Sequence, residues 1–313
     1  MEKGFALVAE GGGQRGIFTA GVLDHFLDED FNPFDIGCGV SAGAQNLLAY
    51  FLGQPGYARR AIAELTGRPD FLVPYRWLTA QSILDLDGYF ETSVRDPEFR
   101  LPYQRLSRLQ RQKLLQFVVT DKETLEALYL EPDETTVLDY MKASSAIPFL
   151  YRAGVPFGDR LLIDGGVSDP LPVKHVYDQG ARKVVLIRTV PMPSGENPAA
   201  PDPDDESLWR QRLLQVRRLS GKSLKLPVKV LDMLACHEAA LNRATAFICN
   251  PPEDLDLFVI APQKTLKSQV FGSRSPALLE DYRSGIEAGR TTLVRLRQGQ
   301  QVVREPVEGT VEV

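Results

Sequence analysis

An α/β fold on a mainly parallel sheet is predicted by three features of this chain. Phe5-Ala6-Leu7-Val8-Ala9 is an apolar run fit for a buried strand. Ile17, Ala20, Gly21, Leu23, His25, Phe26 and Leu27 then fall at roughly helical spacing, and a second short run, Ile36-Gly37-Cys38-Gly39-Val40, follows. Strand, helix, strand is a β-α-β unit, which requires parallel strands and a right-handed crossover. Further apolar runs at 114–120, 183–190 and 256–262 alternate with helical segments and extend the pattern.

Bulk properties narrow the function. The 313 residues are 43% hydrophobic and 25% charged, an ordinary globular composition with enough chain for a sizeable core. The formal net charge is −5 with no long block of like charge, which argues against a nucleic-acid partner. Three cysteines, Cys38, Cys236 and Cys249, with no C-x-x-C, indicate reduced thiols, no disulfide framework and no zinc knuckle; a cytoplasmic protein is expected. The N-terminus enters a strand directly and lacks the apolar core of a signal peptide. The longest apolar run, near Leu47 to Leu52, falls far short of the roughly 18 residues of a membrane span. Peripheral contact with the inner membrane surface stays compatible with all of this.

After the second strand, residues 44–52 read as a helix, and 57–67 as another ending at Gly67. From 68 to about 112 no clean period emerges; short helices and loops are expected, with turns at 68–70 and Asp87-Gly88. Residues 114–120 predict a strand, 125–130 a second paired with it, and 136–145 a helix stopped by Pro148. Residues 160–166 are a strand running into a glycine turn, 170–180 a helix closed by Gly180, and 183–190 a core strand. Five prolines and five acidic residues make 191–207 a loop. Beyond it, 208–250 reads as mainly helical, 256–262 as a last strand and 276–298 as a long helix, before a charged tail. The expected organisation is a catalytic core over 1–190, the Pro/acidic loop over 191–207, and an extension over 208–313 packed on the core, mainly helical with one strand.

Two glycine-rich turns carry the chemistry. Gly39-Val40-Ser41-Ala42-Gly43 is G-x-S-x-G between a strand and a helix, which reads either as a plain Gly/Ser-rich turn between core elements or as the setting in which a serine is forced outward as a nucleophile. Gly11-Gly12-Gly13-Gln14-Arg15-Gly16 fits G-x-G-x-x-G, but a dinucleotide site wants an acid about 20 residues on, at the end of the second strand, and Ser41 stands there. Asp35 has the right count but precedes that strand. The other reading is an oxyanion hole: Gly11, Gly12 and Gly13 free their N–H groups to converge, and Arg15 adds a cation. A serine also needs a base. His25, His175 and His237 all fall in helical segments rather than on loops after core strands. Asp164, ending an apolar strand before Gly165-Gly166, sits at a sheet rim and reads either as a direct general base or as a turn aspartate bonded to its own backbone.

Taken in order, Gly11 to Gly16, Gly39 to Gly43, Ala143-Ser144-Ser145-Ala146-Ile147-Pro148 and Asp164-Gly165-Gly166 resemble the patatin-like phospholipase family, its bacterial branch in particular. The blocks span about half the chain. The final block has Asp-Gly-Gly, the form common in bacterial relatives, where other members have Asp-Gly-Ala. The resemblance implies a three-layer α/β/α sandwich with a mainly parallel central sheet. It also implies a Ser-Asp dyad of Ser41 and Asp164, an oxyanion hole of Gly11, Gly12, Gly13 and Arg15, and a largely architectural Ser144 to Pro148 block. The expected activity is hydrolysis of phospholipid or lysophospholipid esters through an acyl-enzyme, on a lipid or acyl-ester substrate, with no metal and no organic cofactor. The alternatives are a catalytically vestigial lipid-binding or regulatory protein on the same fold, and a nucleotide-binding protein using the glycine loop. Neither head group nor oligomeric state is encoded in these motifs.

Overall fold

The computed structural model describes residues 4–79, 81–192 and 228–298. Among them eight strands form one sheet: β1 (Gly4–Ala9), β2 (Ile36–Val40), β3 (Leu114–Asp121), β4 (Ala127–Leu130), β5 (Val155–Phe157), β6 (Arg160–Asp164), β7 (Ala181–Ile187) and β8 (Asp256–Ile260). The order is β5-β6-β3-β2-β1-β7-β8, with β4 also paired to β3. Pairs β3–β2, β2–β1, β1–β7 and β7–β8 are parallel, while β4, β6 and β5 add an antiparallel edge.

Strand alternation sorts the core into two layers. Leu7, Ala9, Phe117, Val119, Val185 and Ile187 face one way. There they meet α1 (Gly16–Asp28) through Phe18 and Phe26, and α2 (Ala42–Phe51) through Leu47 and Leu48. The helix α6 (Val137–Ser144) adds Val137 and Met141 to this layer. Ala6, Val8, Val118, Val184 and Leu186 face the other way. They pack with Val173 and Val176 of α7 (Val173–Asp178) and Ile248 of α8 (Val228–Cys249). Helices therefore cover both faces, the three-layer α/β/α sandwich with a mainly parallel sheet. The last helix, α9 (Ser275–Arg297), runs along α1, where the Tyr282 hydroxyl donates to Asp24 Oδ2 at 2.8 Å.

The register around β3 matters for function. Phe117 and Val118 pair with both β2 and β4, and Val119 and Thr120 pair with both β4 and β6. A strand residue has one neighbour on each side, so β2 and β6 occupy the same side of β3, end to end. Val40 lies opposite Val118, and Asp164 lies opposite Val119, one step further along. Running in opposite directions, β2 and β6 finish against each other. Strand β2 cannot continue because β6 holds the next position, and the chain must turn out of the sheet at Ser41.

Several local expectations are corrected. The helix expected over 57–67 is present over 57–65, where α3 (Tyr57–Arg60) runs directly into a π-helical turn over Ala61–Leu65, and it ends two residues before expected. Asp87-Gly88 is not a turn but the start of α4 (Leu86–Arg95), because Asp85 caps that helix by accepting from Gly88 N at 2.9 Å. A short α5 spans Leu106–Leu109. Strand β5 lacks a sequence signal: its three residues include Pro156, which an edge strand tolerates. The expected helical content of 208–227 and most of the 191–207 loop lie outside the described residues.

Candidate active site

Ser41 is the hinge between β2 and α2. Its φ of 53° and ψ of −124° form a backbone conformation that costs a non-glycine residue about 1–3 kcal/mol. The surrounding contacts hold it there. The Ser41 amide donates to Ser144 Oγ at 2.9 Å, and that hydroxyl donates onward to the Val118 carbonyl at 2.7 Å. Its carbonyl accepts from Ala44 N and Gln45 N, which starts α2. Small residues are required because the layers nearly touch. A Cβ on Gly43 would lie 2.4 Å from the Ala9 carbonyl oxygen, and one on Gly11 would lie 3.1 Å from Ser41 Cβ.

The glycine loop thus runs directly against Ser41. Its ends are tied down: Glu10 N donates to Ile187 O, Gln14 N to Val270 O and Arg15 N to Gly12 O. The Gly11 carbonyl accepts from Thr189 Oγ1 at 2.7 Å. Because carbonyl and N–H point oppositely across a trans peptide, the Gly12 N–H is directed away from Thr189. The amides of Gly11, Gly12 and Gly13 have no backbone acceptor among the described residues. Arg15 is buried at the start of α1, not on the surface. Glu10, also buried, accepts from Thr189 N at 2.7 Å and lies 3.6 Å from Arg188 Nε, which fixes where β1 hands over to the loop.

Asp164 is 1% exposed, and its backbone is held on both sides. Its N–H donates to the Ala146 carbonyl at 3.0 Å, and its carbonyl accepts from Thr120 Oγ1 at 2.9 Å. The carboxylate Oδ1 accepts from Gly166 N at 2.8 Å and caps the following 3-10 turn, the hydrogen bond of a turn aspartate. Gly166 also approaches Val40: a Cβ there would lie 3.9 Å from Val40 Cγ1, the same methyl that a Cβ on Gly11 would meet at 3.6 Å. The glycine loop, the Ser41 turn and the Asp164 turn therefore converge on Val40.

Sequence reading missed how these turns are joined. Ser144 holds the Ser41 amide, and two residues later Ala146 holds the Asp164 amide, so the end of α6 braces both. Thr189 and Glu10 steady the glycine loop, and His237 Nδ1 donates to the Gly166 carbonyl from α8. The three histidines all lie on helices. His175 stacks on Tyr129, with ring centroids 3.3 Å apart, and burial pulls its pKa down to about 4.

Ser41 and Gly13 line a pocket between α2, α3 and α4. Gly11, Gly12, Arg15 and Asp164 do not line it. Its wall includes Ile62, Phe71, Leu84, Leu86, Ile147 and Phe271, and among the described residues no lining side chain carries a charge. Burial pushes the Tyr57 and Tyr89 phenols in that wall up, so both stay neutral. Several of its polar groups bond one another: Tyr89 donates to Gln45 Oε1, Gln45 to Ser145 Oγ, and Gln14 to Thr66 Oγ1. A serine hydroxyl in the wall of an uncharged apolar chamber suits a ligand with an apolar chain.

Comparison with known proteins gives three findings. A family model described as Patatin-like phospholipase matches residues 7–177, and one for a domain of unknown function, DUF6363, matches residues 228–300. The chain is 40% identical over 286 residues to the uncharacterized protein YjjU of Escherichia coli (strain K12), covering 91% of this chain and 76% of that one. The crystal structure of VipD from Legionella pneumophila aligns with 93% of this chain and 67% of its own, at TM-score 0.45 and 14% identity.

Proposed function

Since the chain belongs to the patatin-like phospholipase family, whose membership supports lipid hydrolysis in general, we propose that it is a serine acyl hydrolase using Ser41 and Asp164 as a dyad. The acyl chain of a phospholipid or lysophospholipid occupies the apolar pocket, with its ester carbonyl at Ser41. Ser41 Oγ attacks the carbonyl carbon while Asp164 takes its proton. The negative oxygen accepts hydrogen bonds from the Gly11–Gly13 amides, near the Arg15 cation. Collapse breaks the ester bond, and the leaving alcohol takes the proton from Asp164. Water then attacks the acyl-enzyme, again giving a proton to Asp164. The fatty acid leaves, and that proton returns to Ser41. None of these steps uses a metal or an organic cofactor.

The observation that carries this reading is the end-to-end meeting of β2 and β6 beside β3, with Gly11 pressed against Ser41. Labelling by a fluorophosphonate probe tests it, with Ser41→Ala and Asp164→Asn beside the wild type. Wild type is expected to label and Ser41→Ala to stay unlabelled. Asp164→Asn is expected to lose nearly all ester hydrolysis. Equal labelling of Ser41→Ala removes the nucleophile assignment, and full hydrolysis by Asp164→Asn removes the dyad. An unlabelled wild type that still binds lipid points to the vestigial alternative.

A further inference from the structure

Tyr75 and Leu78 are 73% and 87% exposed, the two most exposed large apolar side chains among the described residues. They lie in the 3-10 turn Pro74–Leu78. Side chains three apart eclipse in such a turn, so both stand on one side of it. The turn tips a short two-stranded stem, in which Val73 N donates to Ile83 O, Leu72 bridges Leu84, and Asp85 N donates to Phe71 O. Phe71 and Leu84 in that stem line the Ser41 pocket. The exposed tip is thus the outward end of a pocket wall. Nothing in the fold demands two bare apolar side chains there.

The tip has basic company. Residues 74–82 contain Arg76 and no acidic residue. Arg152 Nη1 donates to the Thr79 carbonyl at 3.1 Å, and Lys122 Nζ donates to the Arg152 carbonyl at 3.2 Å. The neighbouring acids are Asp85, at the stem and 4.0 Å from Arg76, and Asp70, which is paired with Arg68 at 2.8 Å and also feels the Arg76 cation. Lys122 N also bonds the Leu161 carbonyl, linking this cluster to the β5–β6 hairpin, where Phe157 and Leu161 are again partly exposed. Apolar tips backed by cations match the boundary of an anionic bilayer, with aromatic and aliphatic groups at the headgroup level and cations at the phosphates.

We propose that the Pro74–Leu78 turn seats this protein on an anionic lipid bilayer, with Tyr75 and Leu78 entering the headgroup boundary beside the Ser41 pocket. Its role in delivering a lipid rests on the proposed hydrolase function; the binding itself does not, and is measured without turnover. The test is co-sedimentation of the full chain with vesicles of phosphatidylcholine alone, or mixed with phosphatidylglycerol. Wild type, Tyr75→Ser/Leu78→Ser, Arg76→Gln and Ser41→Ala are compared. Each is also assayed on a soluble short-chain ester and for mass in solution. Wild type is expected to bind the mixed vesicles at least about tenfold more tightly than the double variant, as removal of two interfacial apolar groups requires. Arg76→Gln should weaken binding to the mixed vesicles about fivefold and leave phosphatidylcholine binding unchanged. Ser41→Ala should bind as wild type, and the double variant should keep its activity on the soluble ester. The proposal is overturned if the double variant binds like wild type or if wild type sediments with neither vesicle. It is also overturned if the double substitution changes only the self-association of the protein. Absence of serine labelling alongside tip-dependent vesicle binding defeats the hydrolase reading and leaves the seat standing.

Discussion

The hydroxyl of Ser144 accepts a hydrogen bond from the amide of Ser41 and donates its own to the carbonyl of Val118. One buried side chain therefore ties the strained turn to β3, the neighbour of the strand it has just left. Ser144→Ala removes both bonds and leaves the Ser41 N–H without its acceptor. A loss of about 1–3 kcal/mol in unfolding free energy is expected, with ester hydrolysis falling by about tenfold or more because the strained turn relaxes. Chemical unfolding and steady-state assays measure the two. A Ser144→Ala variant as stable and as active as wild type would remove Ser144 from the site's support.

Gly43 and Gly53 separate crowding from backbone strain. A Cβ at Gly43 has the Ala9 and Glu10 carbonyl oxygens at 2.4 and 2.6 Å, so α2 must move off β1. Gly53 has a φ of +67° and open space around it. Gly43→Ala is expected to cost about 3 kcal/mol or more and to abolish hydrolysis. Gly53→Ala should cost about 1–2 kcal/mol and leave activity intact. Thermal unfolding with an ester assay decides; similar costs for the two would refute the crowding argument.

Glu10 and Arg188 lie 3.6 Å apart, and both are buried. Replacing only Arg188 by Met takes a cation away from the buried Glu10 carboxylate directly before the glycine loop, at a cost of up to about 3–5 kcal/mol. Pairing Arg188→Met with Glu10→Gln should recover part of that loss. A double-mutant cycle measures the coupling, and strictly additive single effects would contradict it.

His175 makes stability pH-dependent. Burial lowers its pKa from 6.5 to about 4. Above pH 6.5 it is neutral in both folded and unfolded chains and contributes nothing. As pH falls from 6.5 towards 4, the unfolded chain takes up a proton that the folded one refuses, and stability drops across that window. The loss is roughly 1–2 kcal/mol once its partial exposure is allowed for. His175→Phe keeps a ring against Tyr129 and removes the titration. Urea unfolding at several pH values in this window should give a flatter profile for that variant, and an unchanged slope would locate the titrating group elsewhere.

Much of the fold was legible because its signals are local. The β-α-β start, the apolar runs of β3 and β7 and the long α9 all follow from periodicity and punctuation within a short window. Strand β5 was missed because three residues around a proline carry no period, and the start of α4 was misread because Asp87-Gly88 resembles a turn until Asp85 is recognised as its cap. In the site, G-x-S-x-G between strand and helix already required a strained serine, since that geometry is set by adjacent residues.

By itself, then, the sequence determined the two glycine turns, the serine between β2 and α2, and an aspartate at a strand end. It left Asp164 with two readings and made Ser144 no more than architecture. Tertiary structure decided the relations among them. Ser41 and Ser144 are 103 residues apart yet share a hydrogen bond. The turns that carry Ser41 and Asp164 meet because β2 and β6 take consecutive positions along the same side of β3, from opposite directions. Register between distant strands depends on which faces are buried in the assembled sheet. No local stretch of chain encodes that, which is why local reading gave the components, the resemblance implied that they meet, and the place and manner of meeting, at Val40, came from the assembled sheet.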